Sequence, residues 1–338
     1  MRLGVTPPVE MAGVRAAVEV AVRAERLGYS DVWSSEVGSA DAFTPLAAVA
    51  ARTDAIRLGT SLVPVFTRPP ALLAMTAAAL QDQSGGRFVL GIGTSTRHIV
   101  ERWMGTAFDR PVERVGDYVS ALRRILDGER VRFAGETVRV DGFRRQAEPV
   151  PPIPIHVGAL GPRMCRLAGA LADGVQFALM TPEGIRAALE VVRRSAAAAG
   201  RGHRELEVVL RVPIAVDDEG DLVRLVARRL LTGYAVTPTY RAALARQGYG
   251  DAVRPVVAAW EAGDRTAAMA ALPEEVVDAF FVQGPAATCR ARLAEYEAAG
   301  VTSVALMHIS AAATAEERGE HIASQLTALV TESPARDR

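Results

Sequence analysis

The sequence predicts an α/β chain folded as a (β/α)8 barrel with insertion segments at the barrel mouth, and three observations carry that prediction. Eight short apolar runs, opening at Arg2, Asp31, Ile56, Arg87, Ile153, Gly174, Leu206 and Ser303, alternate with segments of helical spacing. The first run exits into Thr6-Pro7-Pro8, and prolines cannot form the glycine-rich dinucleotide loop that a doubly wound open sheet carries at that point. At 338 residues the chain is long enough for one large barrel. The expected organisation is a single domain over residues 1–338, with insertions at about 129–152 and 233–281.

Each element follows from local chemistry. Arg2–Val5 is a strand, and Val9–Leu27 is a helix stopped by Gly28. Asp31–Ser34 is a strand leading into the loop Ser35–Asp41, with Thr44-Pro45 near the start of helix Phe43–Arg52. Ile56–Val63, Pro70–Gln83 and Arg87–Ile92 read as one βαβ unit. Thr94–Arg110 is mostly loop with room for a short helix, and helix Val112–Leu126 is closed by Gly128. The runs VRF and VRV around Ala134-Gly135-Glu136 read as a hairpin, and the prolines of Pro149–Pro154 lead into strand Ile153–Val157. Helix Arg163–Leu171, strand Gly174–Ala178, helix Pro182–Ala199, strand Leu206–Val216 and helix Leu222–Leu231 follow. Gly233–Phe281 is irregular and helix-rich; helix Ala286–Ala299, strand Ser303–Met307 and helix Ala315–Leu329 complete the pattern.

Composition removes several functions. The 39 basic residues balance 39 acidic ones, so there is no electrostatic case for nucleic acid or an anionic membrane surface, and zero net charge is compatible with a homodimer. No run approaches the ~18 consecutive apolar residues of a membrane span, and the N-terminus does not read as a signal peptide, so a cytoplasmic location is expected. All 39 basic residues are arginine. Schiff-base aldolase chemistry, pyridoxal phosphate attachment and a P-loop all need lysine and are excluded. Cys165 and Cys289 lie in separate helical segments without a CxxC, which suits small buried hydrophobes; no metal site is expected.

In a barrel the chemistry sits at the C-terminal strand ends. The third strand exits through GTSLVP, either an ordinary exit or a bulge at a ligand. The fourth ends GIGTSTRHIVERW, where Gly91 and Gly93 allow close backbone approach and Thr94 and Ser95 offer hydroxyls; His98 and Glu101 share a face of a helical turn. The fifth ends HVGALGPRMCRLAG. Its glycines, Pro162 at a helix start and Arg163 make an anion cradle, with a tight ligand-free loop as the alternative. Glu36, in WSSEVG after the second strand, suits a proton carrier, an acceptor for a ring, or a solvated loop acid. His156 reads as structural, and the role of His308 is open. The exits suggest a phosphate-bearing ligand and no strong nucleophile or metal, as in enzymes whose cofactor does the chemistry.

The tracts SDVWSSE, IRLGTSLVPVFTRPPALLAMTAAALQDQSGGRFVLGIGTS and PIHVGALGPRMCRLAGALADGV together resemble the bacterial luciferase-like superfamily, and more narrowly its branch that uses the deazaflavin coenzyme F420. The resemblance implies a TIM barrel, often dimeric, acting on a small-molecule substrate by hydride transfer at the deazaflavin C5. It implies a non-prolyl cis peptide at Ser61–Leu62, in a bulge that supports the ring. It places Gly93, Thr94 and Ser95 along the coenzyme, and Gly158, Ala159, Leu160, Gly161, Pro162, Arg163 and Met164 in the phosphate loop. Several members carry an acidic residue followed by His after the second strand; here that place reads Glu36-Val37, so only Glu36 is carried over as a catalytic candidate. Trp103 and Phe66 either wall the substrate space or pack in the core. The alternatives are FMN in a monooxygenase working beside a flavin reductase, and a barrel that binds either ring without turnover.

Overall fold

The computed structural model describes residues 1–146, 148–202, 205–218 and 220–331. Its eight principal strands are β1 (Arg2–Val5), β2 (Asp31–Ser34), β3 (Arg57–Thr60), β4 (Phe88–Gly93), β5 (Ile155–Gly158), β6 (Gly174–Ala178), β7 (Glu207–Val216) and β8 (Ser303–His308). They are parallel strands of the (β/α)8 barrel class that the alternation predicts. By packing density the chain divides into two compact units, one made of Met1–Tyr29, Phe177–Ala187 and the chain from Leu210 onward, the other of Ser30–Gln176 and Ala188–Val209.

The second of these units carries β2 to β6 in chain order. Asp31 to Ser34 pair with Arg57 to Thr60, Leu90 to Ile92 with Ile155 to Val157, and His156 to Gly158 with Gly174 to Gln176. Arginines bind the N-terminal strand ends together. Arg57 donates to Asp31 at 2.6 Å and to Glu207 Oε2 at 2.8 Å, with its guanidinium 5.5 Å from the Trp33 ring centroid. Arg87 donates to the carbonyls of Ser84 at 2.8 Å, Ile56 at 2.5 Å and Thr53 at 2.7 Å. The expected hairpin is present: Val131–Ala134 pairs antiparallel with Arg139–Phe143. Asp117, on helix Pro111–Leu126, clamps its turn by accepting from the Thr137 amide at 2.6 Å and hydroxyl at 2.7 Å. Gly135 is needed there because a Cβ would come within 2.4 Å of that carboxyl.

The other unit holds β1 beside β8, Arg2 to Val5 facing Ser303 to Leu306. The insertion resolves into helices Pro238–Arg246, Arg254–Glu261, Arg265–Ala270 and Glu274–Phe280 behind helix Asp221–Val236. Leu231, Leu244, Val256, Val277 and Phe280 form a buried apolar cluster among them. Arg224 is paired with Glu274 and Asp278 across this cluster. No helix among the described residues is long and apolar enough to cross a membrane. Both cysteines are buried thiols.

Two strand boundaries and one added strand are departures from expectation with a clear physical cause. β3 stops at Thr60 instead of reaching Val63, for reasons given below. β5 begins at Ile155 because Pro154 has no N–H to give the ladder; only its carbonyl pairs, accepting from Leu90 at 2.9 Å. Val282–Gly284, three residues long, adds a parallel strand beside β7 that is too short to show a period in the sequence.

His308 is a structural residue. It is 1% exposed, and its Nδ1 lies 3.1 Å from Gln325 Oε1, an atom that can only accept, so Nδ1 carries the proton. Gln325 also accepts from the Val216 amide at 3.1 Å and donates to the Ile309 carbonyl at 2.8 Å, tying helix Ala315–Thr331 to β7 and β8. Burial pushes the imidazole pKa down to about 4. The unfolded chain therefore binds a proton between pH 6.5 and 4 that the folded chain refuses, so the folded state is destabilised as pH falls through that window. Denaturant unfolding followed from pH 7 to pH 4 will show a loss on the order of 3 kcal/mol from this group, and His308→Gln will flatten that part of the profile.

Candidate functional site

The site is built where β3 breaks off. Its ladder to β4 ends at Gly59 opposite Val89 and resumes at Val63 opposite Ile92. Between these pairs, β3 supplies Thr60, Ser61 and Leu62 against only Leu90 and Gly91, so one extra residue is bulged out. The Thr60 hydroxyl takes over the missing ladder bonds, donating to the Gly91 carbonyl at 2.8 Å and accepting from the Gly91 amide at 2.8 Å. Gln176, near the end of β6, donates to the Thr60 carbonyl at 3.1 Å, and the Ser61 amide donates to the Ser34 carbonyl at 2.7 Å. The Ser61–Leu62 peptide is cis.

The bulge sends the Leu62 side chain onto the ends of β4 and β5. A Cβ on Gly158 would lie 2.1 Å from Leu62 Cδ1, and one on Gly93 would lie 2.7 Å from the same atom. A Cβ on Gly91 would meet the Thr60 carbonyl at 2.0 Å. Gly93 and Gly158 thus supply the volume that Leu62 occupies, Gly91 makes room for the Thr60 carbonyl, and no larger residue fits at any of the three without displacing the bulge. Two buried polar atoms in this unit, Ser34 Oγ and Gln176 Oε1, have no hydrogen-bond partner among the described residues.

Beyond β4, Thr94 Oγ1 donates to the Ser95 carbonyl at 3.1 Å, and Ser95 has a left-handed φ of 58°. That backbone is uncommon for a residue with a side chain, and such residues concentrate at ligand-binding turns. A π-helix, Ile99–Trp103, follows in a stretch expected to be mostly loop. It leaves Trp103 56% exposed, with its ring edge 3.4 Å from where a Gly38 Cβ would stand. Phe66 instead packs between the Phe108 ring at 4.9 Å and the Arg114 guanidinium at 4.8 Å. Its core role is decided by that sandwich.

The loop from Gly158 to Met164 opens helix Pro162–Leu171. Gly161 is its N-cap, Pro162 takes the first turn, and no side chain caps the exposed amides. The Ala159 amide is used within the sheet, donating to the Gln176 carbonyl at 2.9 Å. Arg163 is exposed and paired with Glu113 at 2.6 Å, so its charge sits at the outer edge of the loop.

Glu36 is not a solvated loop acid. Its carboxylate accepts from Arg68 at 2.5 Å, from the Thr67 hydroxyl at 3.3 Å and from the Ala42 amide at 3.2 Å. These contacts hold the β2 exit against the segment that follows the bulge. Thr60, Gln176 and Arg68 escaped the sequence reading. Gln176 gave no signal, because a glutamine in a buried strand has no motif. Arg68 lay in the quoted TRPP tract, but nothing in that spacing pairs it with Glu36.

Residues 1–303 match the model of the family described as luciferase-like monooxygenase. The chain is 30% identical over 287 residues to a 5,10-methylenetetrahydromethanopterin reductase of Archaeoglobus fulgidus, covering 83% of this chain and 86% of that protein. It is 33% identical over 238 residues to an F420-dependent glucose-6-phosphate dehydrogenase of Nakamurella multipartita, covering 65% and 69%. In structure it resembles an F420-dependent secondary alcohol dehydrogenase in complex with an F420-acetone adduct, with a TM-score of 0.78 over 97% of this chain and 98% of the other. At 17% identity that likeness speaks for the shared fold.

The Leu62 seat makes a definite prediction. Gly158→Ala will displace Leu62 and cost about 1–3 kcal/mol in urea unfolding. Gly161→Ala, at an N-cap of extended backbone with φ −135°, will cost well under that.

Proposed function

The chain belongs to the luciferase-like monooxygenase family, and from that membership we propose that it is an oxidoreductase using coenzyme F420 to pass a hydride to or from a small organic molecule. The observation that carries this reading is the leucine platform, Leu62 seated on glycines at the ends of β4 and β5 and flanked by the uncapped start of helix Pro162–Leu171. F420-dependent relatives support the choice of coenzyme. The residues fit a ring with an anionic tail on structural grounds. Leu62 offers apolar surface, the glycines allow close backbone approach, and Ser34 Oγ and Gln176 Oε1 are buried polar atoms with unused capacity.

When bound, the coenzyme supplies the hydride chemistry. The protein's part is binding and orientation. Ser61, Leu62, Gly93, Thr94 and Ser95 line the ring side, and Gly158, Ala159, Leu160, Gly161, Pro162, Arg163 and Met164 form the loop for its anionic tail, where free amides and the helix dipole favour negative charge. Glu36 stays the acidic candidate. Held by Arg68, Thr67 and Ala42, it is oriented as a fixed acceptor rather than as a proton donor. The single domain extends over the whole chain, residues 332–338 lying outside the described ones. The exposed pair Leu72 and Met75, one turn apart on helix Pro70–Gln83, supports a homodimer, and a cytoplasmic site of action completes the reading.

Titration of the purified protein with F420 and with FMN tests the proposal. Micromolar binding of F420 and weaker binding of FMN are expected; failure to bind F420 removes it. The family description favours one second reading, a monooxygenase using FMN, and oxygen uptake dependent on reduced FMN would establish that instead. Glu36→Gln will raise the apparent KM for coenzyme more than it lowers kcat. A collapse of kcat with unchanged KM would make Glu36 a catalytic group.

A further inference from the structure

Arg211, in the unit that runs from Leu210 onward, has no anionic partner among the described residues. Arg211 lies in the middle of β7, half-buried, and its single hydrogen bond among the described residues runs from Nη2 to the Met307 thioether at 3.1 Å. A thioether is a weak acceptor. The Arg211 Nε is buried and has no hydrogen-bond partner among the described residues. Other half-buried arginines are better supplied: Arg57 faces Asp31 and Glu207, Arg68 faces Glu36, and Arg87 donates to three carbonyls.

The strand register shows what stands around it. The Ile309 amide donates to the Ile214 carbonyl at 2.8 Å, which sets Met307 opposite Pro213 and puts Arg211, Pro213 and Met307 on one strand face. His308 and Gln325 occupy the other face. On β1, the Thr6 amide donates to the Leu306 carbonyl at 2.7 Å, one step beyond the Val5–Leu306 pair, so Thr6 falls beside Met307 on the Arg211 face. Thr6 is 8% exposed and its hydroxyl is buried without a partner among the described residues. The insertion supplies Tyr240, whose ring is 4.6 Å from that of Tyr234 and close enough for the Arg211 charge to act on its phenol. Met307 thus stands between a guanidinium that reaches its thioether and an idle hydroxyl on the neighbouring strand, with a phenol that feels the same charge, and in such apolar surroundings a cation without an anion is costly.

We infer that Arg211, with Thr6 and Tyr240, binds the carboxylate of a monoanionic organic ligand, and, resting on the proposed oxidoreductase reading, that this ligand is the substrate. The fork of guanidinium N–H groups matches a planar carboxylate. The cluster brings one positive charge, which neutralises one negative charge and leaves a phosphate dianion under-compensated.

The test uses the full-length protein with acetate and benzoate as probes, acetamide and benzamide as their neutral counterparts, and inorganic phosphate. Wild type will bind the two acids saturably at millimolar concentration and in preference to the amides. Arg211→Met will weaken acid binding by roughly 10- to 100-fold, the loss expected for a charge-assisted pair, and leave the amides unchanged. Arg211→Lys keeps the charge without the fork, will retain part of the affinity, and covers the case in which the Met variant does not fold. The inference is overturned if wild type shows no saturable acid binding, if amides or phosphate bind as well as the acids, or if acid binding survives in Arg211→Met. F420 binding measured on the same samples separates the two claims. F420 binding without acid discrimination removes this inference alone, whereas acid discrimination without F420 binding removes the choice of coenzyme.

Discussion

The steric exchange between Leu62 and its glycines is the constraint on which the rest of the site depends. A barrel strand normally fills its interior with its own side chains. Here β4 and β5 give up theirs at Gly93 and Gly158, where a bulge in β3 delivers one leucine, and at Gly91, where the Thr60 carbonyl enters. The exchange works because backbone groups freed by the bulge find other partners. The Thr60 hydroxyl satisfies both Gly91 groups, and Gln176 takes the Thr60 carbonyl. An apolar surface is thereby presented at strand ends where the backbone would otherwise have to stay in register.

Polar organisation differs between the two ends of these strands. At the N-terminal ends of β2 to β4, arginines are saturated: Arg57 with two carboxylates and Arg87 with three carbonyls. Such networks fix geometry and leave no capacity for a ligand. Past the C-terminal ends, Glu36 and Arg68 hold two exits together, but buried oxygens of Ser34 and Gln176 stay unused. Capacity left idle in a buried place is what distinguishes a binding surface from a structural one. In the other unit Arg211 is in a comparable position, its one hydrogen bond among the described residues going to a thioether.

Much of this was legible in the chain itself because it depends on local rules. The strand count, the hairpin around Gly135 and the helix start at Pro162 follow from residue type and spacing, and the structure contains all of them. The (β/α)8 class followed from an alternation that periodicity reports directly. What the pattern missed were features shorter than a period or caused by a neighbour. Val282–Gly284 is too short to alternate, and β5 lost its first residues to the absent N–H of Pro154. Phe66, left open between site and core, was decided by Arg114, nearly fifty positions away.

The sequence by itself determined which backbone positions are free of side chains and which residue types stand at the strand exits, because those properties travel with each residue. Only the tertiary structure decided that Leu62 fills the place of two missing Cβ atoms, that Glu36 is spoken for by Arg68, and that Arg211 has no carboxylate among the described residues. Each of these is a relation between residues far apart in the chain, set by strand register and packing, and a linear pattern holds no term for such a relation.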